Sequence, residues 1–167
     1  DLHSLPTRSF SDLNSHDTIL CFSNSGKVYW LRVFQLPQAG RQARGRPLVN
    51  LLPLGPDERI TAFMPFNGYP EGHHVFMATR GGIVKKCNLA DFSRPRSSGL
   101  RAIVLTEDDE LVGVGLTEGN SDLLLFSDSG KSIRFSETDV RVMGRGARGV
   151  RGIALKKGQR LIAMLAV

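Results

Sequence analysis

Arginines spaced by glycines fill the stretch Arg141-Val-Met-Gly-Arg-Gly-Ala-Arg-Gly-Val-Arg-Gly152. Glycine lets a backbone turn sharply and approach a partner closely. The guanidinium group brings a permanent charge and a planar fork of donors that matches phosphate or carboxylate. From Val140 to Val167 there is no Asp or Glu, against Arg141, Arg145, Arg148, Arg151, Lys156, Lys157 and Arg160. A surface segment of this kind suits a polyanion. Two comparable segments lie upstream, Arg41-Gln-Ala-Arg-Gly-Arg46 and Arg94-Pro-Arg-Ser-Ser-Gly-Leu-Arg101.

The other chemistry-bearing residue types form no constellation. His3, His16, His73 and His74 lack metal-ligand spacing and stand near no matching cysteine or carboxylate. Glu107-Asp-Asp-Glu110 could hold a divalent ion, but acidic turns between strands are ordinarily solvated. Gly144-Arg-Gly-Ala-Arg-Gly149 has the form GxGxxG, yet that motif works between a strand and a helix, and Gly152 opposes a helix here. Gly130-Lys-Ser132 ends like a phosphate-binding loop, but Leu125 stands where its first glycine belongs. The sequence therefore predicts no catalytic residue, no metal site and no cofactor.

The net charge of +6 in 167 residues favours nucleic acid or an acidic surface as partner. Cys21 and Cys87 are too few and too far apart for a disulfide framework, and both sit in apolar runs. Buried free thiols in a reducing cytoplasm are expected. The N-terminus has no apolar signal core, and no apolar run is long enough to span a membrane. A soluble, cytoplasmic protein is expected.

The elements that must position the arginines recur. Three hairpins are predicted, at Ile19–Phe34 around Gly26, at Val75–Cys87 around Gly81, and at Leu123–Phe135 around Gly130. Gly45, Gly99 and Gly149 follow in the basic loops. Short β-rich runs come next, at 47–52, 102–105 and 150–155, then a charged turn, then a last strand at 60–63, 111–114 and 161–164. Four antiparallel strands per unit, about three units and no convincing helix describe an all-β, propeller-like architecture with a repeat of roughly 50 residues. The units are expected at 19–73, 74–121 and 122–167, with 1–18 a linker or truncated remnant. The apolar end at Leu165-Ala-Val167 suggests that the chain continues, or that its last strand pairs with another subunit.

Trp30, Lys85 and Arg134 fall four residues after the hairpin glycines, and alternation predicts that they point outward. Phosphate contacts are expected from Arg41, Arg44, Arg46, Lys85, Lys86, Arg94, Arg96, Arg101, Lys131, Arg134, Arg141, Arg145, Arg148 and Arg151. Repeated charge on repeated units matches the repeated phosphates of DNA. The alternative is a propeller-type interaction module that docks an acidic protein.

Several stretches resemble the C-terminal domain of DNA gyrase A subunits. They are Gln35-Leu-Pro37, Ala43–Leu54, Asp57–Ala62, Val75–Thr79, Gly82–Lys86, Asp109–Gly113, Arg141–Gly144 and Gly149–Ile153. The resemblance runs from about His16 to the C-terminus. It implies a β-pinwheel whose blades exchange strands, here an open half-disc of about three of the family's usual six. It further implies a basic rim that binds double-stranded DNA without sequence preference and bends it, giving gyrase, an ATP-dependent type IIA topoisomerase, its wrap and negative supercoiling. The partners implied are the rest of the gyrase A subunit and gyrase B, which carry cleavage and ATP hydrolysis; these residues would not be an enzyme by themselves. The family's Gln-Arg-Arg-Gly-Gly-Lys-Gly heptapeptide is absent from this sequence, so DNA binding carries over better than full wrapping.

Overall fold

The computed structural model describes residues 17–32, 48–66 and 68–167. Among the described residues eleven strands form in chain order: β1 (Thr18–Ser23), β2 (Lys27–Arg32), β3 (Ile60–Phe66), β4 (His74–Thr79), β5 (Ile83–Asn88), β6 (Leu100–Arg101), β7 (Leu111–Thr117), β8 (Asp122–Ser127), β9 (Ser132–Ser136), β10 (Val150–Arg151) and β11 (Leu161–Ala166). They pair antiparallel into three sheets, in the orders β3-β1-β2-β6, β10-β5-β4-β7 and β11-β8-β9. The chain is an all-β, propeller-like array.

Each hairpin closes through a glycine of positive φ: Gly26 at 85°, Gly82 at 89° and Gly130 at 83°. An L side chain rarely adopts this region, so the turn selects glycine. The middle turn uses Gly82 rather than Gly81, which corrects the expected repeat by one residue. The strand register agrees, pairing Leu20 with Trp30, Phe76 with Lys86 and Leu124 with Arg134. Lys86, not Lys85, is thus the counterpart of Trp30 and Arg134.

The first and second sheets are not each built from one contiguous segment. β6 leaves the second segment to pair with β2, and β10 leaves the third to pair with β5. The same latch secures both strands. The amides of Ala102 and Ile103 donate to the Gly26 carbonyl, and those of Gly152 and Ile153 donate to the Gly82 carbonyl. A second tie joins inner strand to neighbouring turn, from the Leu111 amide to the Asn24 carbonyl and from the Leu161 amide to the Arg80 carbonyl. The runs at 102–105 and 150–155 were expected as strands; pairing is confined to Leu100–Arg101 and Val150–Arg151. Of the run at 47–52, Leu48–Leu51 is a 3-10 turn.

The core follows from strand alternation in the middle sheet. On β4, Val75 and Met77 pack with Leu20, Phe22 and Val28 of the first sheet. Phe76 and Ala78 face the other way, onto Leu123 and Leu125 of the third. Both faces of β4 are therefore buried, and each large side chain removed from water contributes about 1.5–3 kcal/mol. The first sheet's other face is closed by Ile19, Cys21, Tyr29 and Leu31, packed on Leu52, Leu54 and Ile60. The Glu58 carboxylate fastens that side. It accepts from the hydroxyls of Ser23, Ser25 and Tyr29 and from the Gly55 amide. Burial works to raise its pKa, but these four donors outweigh it and hold the group down to about 2.

Cys21 and Cys87 are buried free thiols, as expected. Burial pushes them up to about 12 and about 11, so neither is a ready nucleophile.

Candidate nucleic-acid interface

The strand order decides where the arginines lie. The inner strands β3, β7 and β11 touch one another from sheet to sheet, whereas β6 and β10 add on at the far edges of their sheets. The arginine segments lead into those two edge strands, so they form the outer rim. Gly149, at φ 94°, seats the second segment directly against β5, because a Cβ there would stand 2.5 Å from the Val84 carbonyl oxygen. The preceding turn closes from the Ala147 amide to the Gly144 carbonyl, and the Met143 amide donates to the Lys86 carbonyl.

Arg94, Arg96, Arg101, Arg141, Arg148 and Arg151 are exposed, and Arg145 is half-buried. Among the described residues, none of these seven makes an ion pair. Away from these two segments, Arg59, Arg80, Arg134 and Arg160 each face a carboxylate. Glu110 faces Arg59 at 3.2 Å and Arg80 at 3.7 Å, and Asp128 faces Arg160 at 3.7 Å. Among the described residues, exposed arginines without a carboxylate partner thus lie on these two segments, while the turns at 56–59, 107–110 and 128 gather carboxylates and Lys156 and Lys157 stand exposed at the turn of the third segment. Side chains distant in sequence also converge. Arg94, Arg96 and Arg145, with Ala90, Asp91 and Ser93, line a cleft of about 260 Å³. Planar donors around such a space can hold a phosphate, with Asp91 setting one side of the cleft against an anion.

Two expected contacts are corrected. Lys85 is wholly buried and Lys86 is 6% exposed, so neither points outward. The Lys85 ammonium donates to the carbonyls of Ala102 at 2.9 Å and Arg145 at 2.7 Å, and that of Lys86 to the Glu137 carbonyl at 2.8 Å. Neighbouring sheets cover both faces of β5, so alternation along it does not lead to solvent. Trp30 is half-buried, its indole N–H donating to the Phe92 carbonyl at 2.8 Å. Arg134 is exposed, but Asp122 holds it at 2.8 Å. Lys131 is exposed and donates to the Ala154 carbonyl. Arg41, Arg44 and Arg46 lie outside the described residues.

Among the described residues no cluster of three or more His, Cys, Asp or Glu side chains could hold a metal. Among the same residues no helix is long and apolar enough to cross a membrane.

The profile of a family described as the DNA gyrase C-terminal domain, a β-propeller, matches residues 17–67, 73–118 and 121–167. The DNA gyrase A protein of Haemophilus influenzae is 59% identical over 142 residues, which are 85% of this chain and 16% of that protein. Its equivalent from Salmonella typhimurium is 56% identical over 152 residues, 91% of this chain and 17% of that protein. The chain thus spans about a sixth of the length of these relatives. Among solved structures, the C-terminal domain of DNA topoisomerase IV superposes with a TM-score of 0.85 at 32% identity, covering 93% of this chain and 48% of that one. A gyrase A C-terminal domain superposes with a TM-score of 0.75 at 24% identity, over 93% of this chain and 49% of that one, a likeness of fold.

Proposed function

Since the chain belongs to the DNA gyrase C-terminal domain family, we propose that its rim binds double-stranded DNA without sequence preference and bends it. It acts as the non-catalytic, DNA-wrapping part of a gyrase A subunit. The observation that supports this most is the set of rim arginines without a carboxylate partner. In this reading the rest of gyrase A and gyrase B supply cleavage, religation and ATP hydrolysis, and the protein works in the bacterial cytoplasm. Units at 19–73, 74–121 and 122–167 remain the working division of the chain, modified by the two exchanged strands.

The energetics are adequate. Bending 20–30 base pairs by 40–90° costs of order 1–6 kcal/mol. If Arg94, Arg96, Arg101, Arg141, Arg148 and Arg151 each neutralise one phosphate, counterion release contributes roughly 7 kcal/mol at 0.1 M salt. The phosphate term therefore offsets a moderate bend without any base contact.

Gel-shift titrations on two unrelated duplexes test the reading. Affinities should agree within a few-fold, and both should fall by about 10³ between 50 and 200 mM salt. Strong sequence preference, or binding indifferent to salt, contradicts it. So does a chain that ignores DNA but captures an acidic protein.

A further inference from the structure

Lys85 is a wholly buried charge with no carboxylate within ion-pair distance among the described residues. Burying an ammonium is costly unless its protons are matched, and a methionine would pack there at a lower cost. Burial drives the Lys85 pKa down and Arg145 adds to this, while Cys87 and Asp91 oppose it. What matches its protons is specific. One carbonyl belongs to Ala102, next to Arg101 on the strand lent to the first sheet. The other belongs to Arg145, in the turn before the strand lent to the second. One interior group therefore ties together the two described arginine segments.

The equivalent positions do different work. Tyr29 stands three residues after its turn glycine, as Lys85 does, and spends its hydroxyl on Glu58. Ile133, the third counterpart, has no polar group and is 36% exposed. Among these three described counterparts, Lys85 in the middle sheet is the long cation, and it reaches the segments that lead into β6 and β10.

We propose that Lys85 is a positioning residue for DNA binding: its ammonium fixes the Arg145 turn relative to the Arg101 strand, and so presets the spacing of arginines across neighbouring sheets. It touches no phosphate. This rests on the DNA-binding reading above, but the clamp can be tested apart from it.

Lys85→Met removes the ammonium and keeps the length of the side chain. Amide hydrogen exchange in the free protein should then accelerate at 144–149 and at Ala102 and Ile103, with the strands of the third sheet unchanged. Affinity for any duplex should fall roughly two- to 150-fold, the range for residues coupled in one network. Arg145→Ala should cost less in the Lys85→Met background than in the wild type, whereas a merely destabilised but folded protein would show additive effects. A folded Lys85→Met variant with unchanged exchange at 144–149, or with effects additive to Arg145→Ala, overturns the proposal. If the wild type binds no DNA, the wrapping reading falls while the exchange result still decides the clamp. If Lys85→Met does not fold, the wild type serves. A clamped ammonium gives a slowly exchanging Nζ signal coupled through hydrogen bonds to the carbonyl carbons of Ala102 and Arg145, and an Nζ in fast exchange with water overturns the proposal.

Discussion

Replacing Arg145, Arg148 and Arg151 together by alanine will weaken binding to every duplex alike, by up to roughly 500-fold at 0.1 M salt. All three lie on the segment leading into and forming β10, and none is held by a carboxylate. Each phosphate that is no longer neutralised should lower the salt slope by about 0.9. The side chains form no part of the core, so thermal stability should stay within about half a kcal/mol per residue. Arg59→Ala/Arg134→Ala/Arg160→Ala makes the same change of net charge at exposed arginines that already have partners. If net charge alone governed binding, the two triple variants would weaken it equally. The expected result is a small loss for the second. A large drop in melting temperature with an unchanged salt slope in the first would mean that these arginines brace the sheets.

The second large effect is on folding. Gly82→Ala places a Cβ 2.8 Å from the Ile153 carbonyl oxygen and 3.0 Å from the Ile153 side chain, at φ 89°. Backbone strain there costs of order 1–3 kcal/mol. Displacing Ile153 also loosens the two hydrogen bonds that the Gly82 carbonyl accepts, each worth about 0.5–1.5 kcal/mol. The sum is about 3 kcal/mol or more, roughly a 6–12 °C fall in melting temperature for a chain of this size. Gly130→Ala has the same backbone requirement, at φ 83°, but nothing within 4 Å of its Cβ. It should cost only the strain. Thermal melts of the two variants isolate the latch that holds the exchanged strand, and equal losses would mean that the latch contributes nothing.

Glycine at the hairpin turns, apolar runs either side and arginine loops at a constant place in the repeat are local features, and they are legible in the sequence. So is the burial of Cys21 and Cys87. The one-residue difference between Gly81 and Gly82 arises in a Gly-Gly pair, where residue type cannot tell which glycine takes positive φ. The lysines of β5 mislead for a different reason. Alternation gives the side of a sheet on which a residue lies, but not whether another sheet covers that side, and in the middle sheet both are covered. Strand exchange enters through family resemblance alone. Two-residue strands such as Leu100–Arg101 have too little periodicity to register, and their partners lie in the preceding segment. The meeting of Arg94, Arg96 and Arg145 in one cleft is likewise a product of packing between segments.

The central claim, that DNA lies along the arginine rim, is most directly tested by crosslinking from chosen positions. Both native cysteines are buried, so a single exposed cysteine can carry a photoreactive label. Ser98→Cys places it on the rim between Arg96 and Arg101, and Pro56→Cys places it at the turn beside the carboxylates of Asp57 and Glu58. Crosslinks to any duplex are expected from the label at position 98, abolished at high salt, and few from position 56. Crosslinking from position 56 with none from position 98 would contradict the claim.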